Sequence, residues 1–240
     1  MKLKYLGDSR DSFKWDYHDY LTASLDYPIL NVAFMMTPDD NTNHGTTNPR
    51  NFSARENIIA FCDKLKTEKD RLNHSDKFKQ GDIKEVSSDL THLMQQLPKK
   101  MQSNYSVVLH RGAERFTNQN RREYFSDITR ENKQVYFLDP DNGFQPEKKY
   151  SAKHVLYTDI ESILEQISEQ AVISVFQYFR RISFVTDFAR IRQRLISGHA
   201  TAIYWHSLMF VAISKSEETI DKVRSVNQEY SQGRPVRTIQ

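Results

Sequence analysis

Four short stretches of the chain combine carboxylates, amides and bases at spacings that can do chemistry. In FLDPDNG, Asp139 follows an apolar run, Pro140 fixes a turn, and Asp141, Asn142 and Gly143 complete a polar rim. In TPDDNTNHG, Asp39 and Asp40 follow a second apolar run, and His44 lies in the same loop. In KYLGDSRDSFKW, Asp8, Asp11 and Lys14 recur at every third residue, so a helix would carry Asp11 and Lys14 on one face. In VFQYFRR, Gln177 and Tyr178 lead into Arg180 and Arg181. A carboxylate beside a placed water suits hydrolysis through a positively charged sugar. Aromatic residues interleaved with arginines suit stacking on bases and contact with phosphates. Each stretch also has a plainer reading. Asp, Pro, Asn and Gly are turn formers, Asp8 or Asp11 can simply cap a helix, and a basic helix can be a solvated face.

The elements that must position these residues follow from hydrophobic periodicity. Residues 29–36, 105–110, 134–138 and 171–176 are apolar runs with strand character, and residues 201–214 hold one or two more strands. Helices are expected at residues 11–23, 53–69 (Ser53 and Glu56 spaced as a capping box), 87–101 (interrupted near Pro98), 121–130, 158–170, 184–196 and 217–230. Residues 37–51 form a long polar loop, the kind that is often functional. Apolar runs alternating with helices imply βαβ units. The expected fold is therefore α/β: a three-layer, doubly wound, mostly parallel sheet with helices on both faces, in a single domain over residues 1–230 with a loose tail at 231–240. In such sheets ligands bind beyond the carboxyl ends of the strands, where Asp39, Asp139 and Gln177 all fall.

Composition removes several classes. The seven glycines stand singly, so neither GxGxxG nor GxxxxGK[ST] occurs and no nucleotide cofactor is expected. No HExxH or GxSxG occurs. Cys62 is the sole cysteine, which excludes an internal disulfide and a cysteine-based zinc site. The charged start is unlike a secretory signal, and no run approaches the ~18 apolar residues of a membrane span, so a cytoplasmic location without membrane contact is expected. A net charge of +3 permits a nucleic-acid partner without demanding one.

KYLGDSRDSFKW and FLDPDNG together resemble the signatures KYxGDxxDxxK and FLDPDNG of an uncharacterised bacterial family, a likeness that runs from about Lys4 to Arg181. Two better-known folds are similar at a coarser level. The strand followed by an Asp-Pro turn resembles the catalytic turn of class I methyltransferases, although the glycine-rich loop that would cradle S-adenosylmethionine is missing. VAFMMTPDDNTNHG resembles the first motif of uracil-DNA glycosylases, with Pro-Asp-Asp standing where that family has Asp-Pro-Tyr. The absent glycine loops, acidic strand ends, paired aromatics and basic helix together point to a hydrolase, with no cofactor or metal expected, that cleaves the N-glycosidic bond of a flipped base in DNA, with a modified base in defence against phage as a candidate substrate. Asp139, Asp39 or Asp8 would be the catalytic carboxylate. Asp11, Lys14, Asp40, His44, Asp141, Asn142, Gln177 and Tyr178 would surround the base, and Arg180, Arg181, Arg190 and Arg194 would bind phosphates. A base methyltransferase and a magnesium-dependent nuclease built on Asp8, Asp11, Asp139 and Asp141 are the alternatives.

Overall fold

A computed structural model describes residues 1–38, 47–74, 83–126, 128 and 132–240. Its centre is a seven-stranded sheet in the order β2-β1-β3-β6-β8-β7-β9. The strands are β1 (Ile29–Ala33), β2 (Ser106–Leu109), β3 (Gln134–Leu138), β6 (Val172–Tyr178), β7 (His199–Trp205), β8 (Leu208–Ser214) and β9 (Arg237–Ile239). A separate two-stranded ladder joins β4 (Gly143–Phe144) to β5 (His154–Val155). β3 is buried at every position and β6 at all but its last. Continuous burial is what parallel strands covered on both faces require, and it explains why these runs lack polar alternation. β2, β1, β3 and β6 are parallel neighbours, whereas β6–β8, β8–β7 and β7–β9 are antiparallel.

The expected strands at 29–36, 134–138 and 171–176 all lie in this sheet. Register levels their ends: Ala33 pairs with Leu138, and Leu138 with Val175. From β1 the chain passes through α2 (Glu56–His74), α3 (Ile83–Met94) and α4 (Gln96–Met101) to β2, then crosses to β3 on the other side of β1. The carboxyl ends of β1 and β3 therefore lie side by side at one edge of the parallel strands.

Two apolar clusters hold the helices to the sheet. The first joins Val135 and Phe137 to α1 (Ser9–Ser24), α2, α3, α4 and α8 (Glu217–Ser231). The second joins Tyr136 and Leu138 to α5 (Arg121–Tyr124), α6 (Tyr157–Gln166) and α7 (Phe184–Arg194). Among the described residues no helix is long and apolar enough to cross a membrane.

Several local expectations are corrected. The tail is not loose at its end: β9 pairs with β7, and Thr201 Oγ1 donates to the Ile239 carbonyl at 2.7 Å. Its mixed composition hid this, because an edge strand needs only backbone partners and a single anchor, here the buried Val236. The helix expected at 87–101 breaks at Gln95, while Pro98 sits in the first turn of α4, where a missing N–H leaves no bond unmade. Helix α5 ends at Tyr124 rather than near residue 130. Helix α2 starts at Glu56, and the residue before it, Arg55, bonds to α1.

That contact is an ion network beneath the fold. Arg55 Nε donates to Asp16 Oδ1 at 2.6 Å and its Nη2 lies 3.0 Å from Asp19 Oδ2. Tyr230 on α8 donates to Asp16 (2.7 Å), and Ser103 and Tyr105 donate to Asp19 (both 2.8 Å). Arg55→Leu leaves both buried carboxylates without their shared cation. A loss of about 3 kcal/mol in urea melts is expected, the low end for a broken buried pair because Arg55 is a third exposed. Arg50→Leu, which removes an exposed pair with Glu56, should change the melt by under ~1 kcal/mol. Equal melts for the two variants would refute the network's role.

Candidate active site

The site is built from the start of α1 and the ends of β3 and β6. The segment entering α1 crosses α2 so closely that a Cβ on Gly7 would sit 2.4 Å from the Cys62 carbonyl oxygen; Gly7 also has φ +78°. Gly7 N–H donates to Asp11 Oδ2 (2.8 Å), and Asp8 caps α1 by accepting from the N–H groups of Arg10 (2.9 Å) and Asp11 (3.1 Å) on Oδ1. The capping reading of these aspartates is therefore correct, but incomplete. One turn further, the buried Lys14 Nζ lies 2.8 Å from Asp11 Oδ1 and 2.8 Å from Asp139 Oδ2. A cation on α1 thus holds a carboxylate of its own helix and one from the end of β3.

Asp139 continues the ladder by donating its N–H to Ala33 O (2.9 Å). Beyond Pro140, Asp141 accepts from Thr37 Oγ1 at 2.5 Å, tying the β3 turn to the segment after β1. The Met1 amino group donates to the carbonyls of Phe34 (2.9 Å), Met35 (2.8 Å) and Asp139 (3.0 Å), and lies 3.3 Å from Asp141 Oδ1.

These groups line a pocket of about 200 Å³. Asp8, Asp11, Lys14, Asp139, Asp141 and Asn142 form its polar wall, and Phe176 and Tyr178 close it from β6. Tyr5 and Arg10 complete it, the guanidinium lying over the rings of Tyr5 (5.9 Å) and Tyr178 (5.0 Å). Arg10 Nη2 also donates to the Tyr178 hydroxyl at 3.4 Å.

Burial raises two of the carboxyls. Burial, then the neighbouring charge of Asp11, pushes the Asp8 carboxyl up to about 6, against the opposing pull of Lys14 and Arg10. Asp139 is also raised by burial, with Lys14 pulling the other way. Burial alone would lower Lys14, but Asp11 and Asp139 outweigh it and its ammonium is held above the usual lysine range. Lys14 is thus a fixed cation and Asp8 a carboxyl that exchanges a proton near neutrality.

The structure brings Asp8, Asp11, Lys14, Asp139, Asp141, Asn142 and Tyr178 together as expected. Asp39, Asp40 and His44 lie outside the described residues. Gln177 does not reach the pocket. Its Oε1 accepts from Phe144 N–H (2.9 Å) and Arg180 (2.8 Å), and its Nε2 donates to the Tyr178 carbonyl (2.6 Å), so it is a fixed post between strands rather than a base-binding amide. Arg180, Arg190 and Arg194 line a different cavity, and Arg181 is exposed with φ +63°. Tyr5, Arg10 and Phe176 were not foreseen. Tyr5 lies inside the KYLGD motif, but nothing in its spacing reveals that it shares Arg10 with Tyr178. Among the described residues no group of three or more His, Cys, Asp or Glu side chains is arranged to hold a metal ion.

No family model, no curated protein and no solved structure matches the chain.

The Lys14–Asp139 pair makes a mutational cycle informative. Asp139→Asn and Lys14→Met should each lose about 3–5 kcal/mol in chemical denaturation, since each leaves a buried charge short of a partner. The double variant should lose less than the sum, with a coupling of about 1–3 kcal/mol. Additive losses would mean that the two groups do not act as a pair.

Proposed function

We propose that this pocket hydrolyses the N-glycosidic bond of a nucleotide in DNA, without a cofactor. The observation that carries the reading is the division of labour in one small pocket. A proton-exchanging carboxyl, Asp8, faces a carboxylate clamped by a lysine, Asp139, beneath two tyrosines bridged by a guanidinium. Buried carboxyls in one pocket, one of them paired with a lysine, are the groups that glycosidic hydrolysis uses as acid, base and charge stabiliser.

The target nucleotide rotates out of the stack, because its glycosidic bond is inaccessible inside a duplex. The base enters beside Tyr5 and Tyr178, where planar groups stack, as Arg10 does in the free protein. The C1′–N bond breaks with its electron pair passing to the base, and positive charge grows on the sugar. Asp139, 2.8 Å from the Lys14 ammonium, stabilises that charge in its ionised form. Asp8 removes a proton from water as its oxygen bonds to C1′, and the departing base takes up a proton in turn. Asn142 and Arg10 hold the base as it leaves. Asp8 sits at the mouth of α1 and Asp139 at the end of β3, which fits a doubly wound, three-layer arrangement with the site at the reversal of winding. In this reading the KYLGD and FLDPDNG stretches are one signature because they share a pocket, and a modified base, such as phage DNA carries, is a substrate of the right class.

The test uses DNA duplexes carrying normal and modified bases, incubated with and without EDTA and then treated with alkali. Alkali-dependent breaks that persist in EDTA are expected; direct, EDTA-sensitive breaks would replace this reading with a nuclease. As Asp8 acts in its ionised form, kcat/KM should rise with pH through an apparent pKa near 6. Asn caps a helix as well as Asp does, so Asp8→Asn should remain folded, lose activity by about a hundredfold or more, and lose that limb of the pH profile. A folded Asp8→Asn variant with a wild-type profile would remove Asp8 from the chemistry.

A further inference from the structure

Beside the first pocket lies a second cavity of about 470 Å³, walled by α7 and by the segment after β4. Lys148, Arg180, Arg190 and Arg194 face it, against Glu147 and Asp187, with Tyr157 at its side. Asp187, Arg190 and Arg194 follow one another at helical spacing, so α7 turns a single face to this space.

Several features mark an unfilled demand for negative charge. Arg190 and Arg194 are like charges four residues apart, an arrangement that destabilises a helix unless something offsets it. Arg194 has Glu147 at 3.4 Å, but that carboxylate is two-thirds exposed and its attraction is screened. Arg180 is fixed in direction: its Nη2 donates to Gln177 Oε1 (2.8 Å) and to the Phe144 carbonyl, and its Nε stands 3.8 Å from Asp187 Oδ2, beyond hydrogen-bond reach. Burial holds its guanidinium below the usual arginine range, and the charge of Arg194 adds to that effect. Burial lowers His154 too, and the charge of Arg180 adds to that effect. Forked, pre-oriented guanidinium groups around a wet cavity are the chemistry that binds phosphate.

The two cavities share a wall. Asn142 lines the first, and the next two residues form β4, whose Phe144 carbonyl holds Arg180 of the second. Tyr178 lines the first and Arg180, two residues on, lines the second. We infer that the second cavity is a phosphate-binding subsite that takes a phosphodiester flanking the nucleotide held in the first pocket. This inference rests on reading the first pocket as a nucleotide site.

The experiment measures binding of inorganic phosphate and of a single-stranded DNA trinucleotide to the full chain by calorimetry at several salt concentrations. Three proteins are compared: the wild type, Arg190→Ala/Arg194→Ala, and a charge-matched control, Arg192→Ala/Lys222→Ala. Both control residues are exposed and neither lines either cavity. The wild type should bind the trinucleotide saturably. The cavity variant should bind at least about tenfold more weakly, with a salt slope shallower by about one to two counterions. The control should stay within about twofold. Thermal melts verify that the variants are folded, and binding of inorganic phosphate that follows the same order locates the recognition in the phosphate rather than the bases. Equal weakening in both double variants would reduce the effect to a general field and overturn the subsite, as would the absence of saturable binding by either ligand. The two readings fail separately. Arginine-dependent binding with no base release retires the hydrolase alone, whereas base release with an unchanged KM in Arg190→Ala/Arg194→Ala retires the subsite alone.

Discussion

The bond on which the rest of the site depends is the one from Lys14 to Asp139. Lys14 Nζ is buried and reaches two carboxylates, one on its own helix and one more than a hundred residues away, each at 2.8 Å. Removing such charges from water is expensive, and only close pairing with both partners repays it. The pairing fixes how far α1 slides along the sheet and therefore where Asp8, at the head of that helix, faces Asp139. A second contact locks the same register. His18, one turn beyond, is set against the Lys14 carbonyl through Nδ1 (2.7 Å) and against Ser174 Oγ on β6 through Nε2 (2.9 Å). A carbonyl only accepts, so Nδ1 carries the proton and Nε2 accepts from the serine hydroxyl. Burial pushes His18 down to about 3, so it stays neutral and adds no charge beside Lys14.

Helix α1 is consequently unlike an amphipathic surface helix. Asp8 at its cap and Asp11, Lys14, Asp16, His18 and Asp19 along it are all buried. Its polar groups serve separate ends: the first turns build the pocket, and the later ones take hydrogen bonds from Arg55, Ser103, Tyr105 and Tyr230. Each of these partners is remote in sequence, so the polar network specifies the placement of α1 where apolar packing alone is less directional. The apolar residues Phe13, Trp15 and Tyr17 fill the spaces between, with Trp15 edge-on to Phe34 and Phe137.

How much of this was legible in the sequence follows from the same physics. Strands buried on both faces read as unbroken apolar runs, so β1, β3 and β6 were visible, and with them the polar residues at their carboxyl ends. Asp139 and Asp141 were legible as a strand-end site because strand ends of a parallel sheet lie level, whereas Asp8, Asp11 and Lys14, on α1, join them through the Lys14–Asp139 pair. Gln177 escaped this logic. Strand alternation turns it away from its neighbours Phe176 and Tyr178, and its destination depends on β4, a two-residue strand with no sequence signal of its own. Arg55 also looked like an ordinary surface residue, since nothing local announces that two buried aspartates of α1 lie across from it. The antiparallel half of the sheet was hidden for a similar reason: 201–214 reads as apolar whether it forms one strand or a hairpin, and the turn at His206, with φ +52°, lacks the glycine that would announce it.

Under the proposed function, the partition between the cavities also decides which end of a nucleotide goes where. β4 can lie against β6 only because Gly143 has no side chain: a Cβ there would sit 2.2 Å from Gln177 Oε1 and 2.8 Å from its Cα, and the residue holds φ +98°. That close approach lets Gln177 bond both Phe144 and Arg180, placing an acidic pocket and a basic cavity on opposite sides of one thin wall. The first pocket sets Asp8, Asp11, Asp139 and Asp141 against Lys14 and Arg10, while the second sets four cations against Glu147 and Asp187. A phosphate entering the first would face four carboxyls whose nearby cations, Lys14 and the Met1 amino group, are already engaged, in a buried space where like-charge repulsion is strong. A neutral base, or a sugar acquiring positive charge, meets the opposite situation. Under the proposed function, the charge distribution orients a nucleotide before any specific contact is made: base and sugar toward Asp139, phosphate toward Arg180, with Gln177 and Gly143 setting the distance between them.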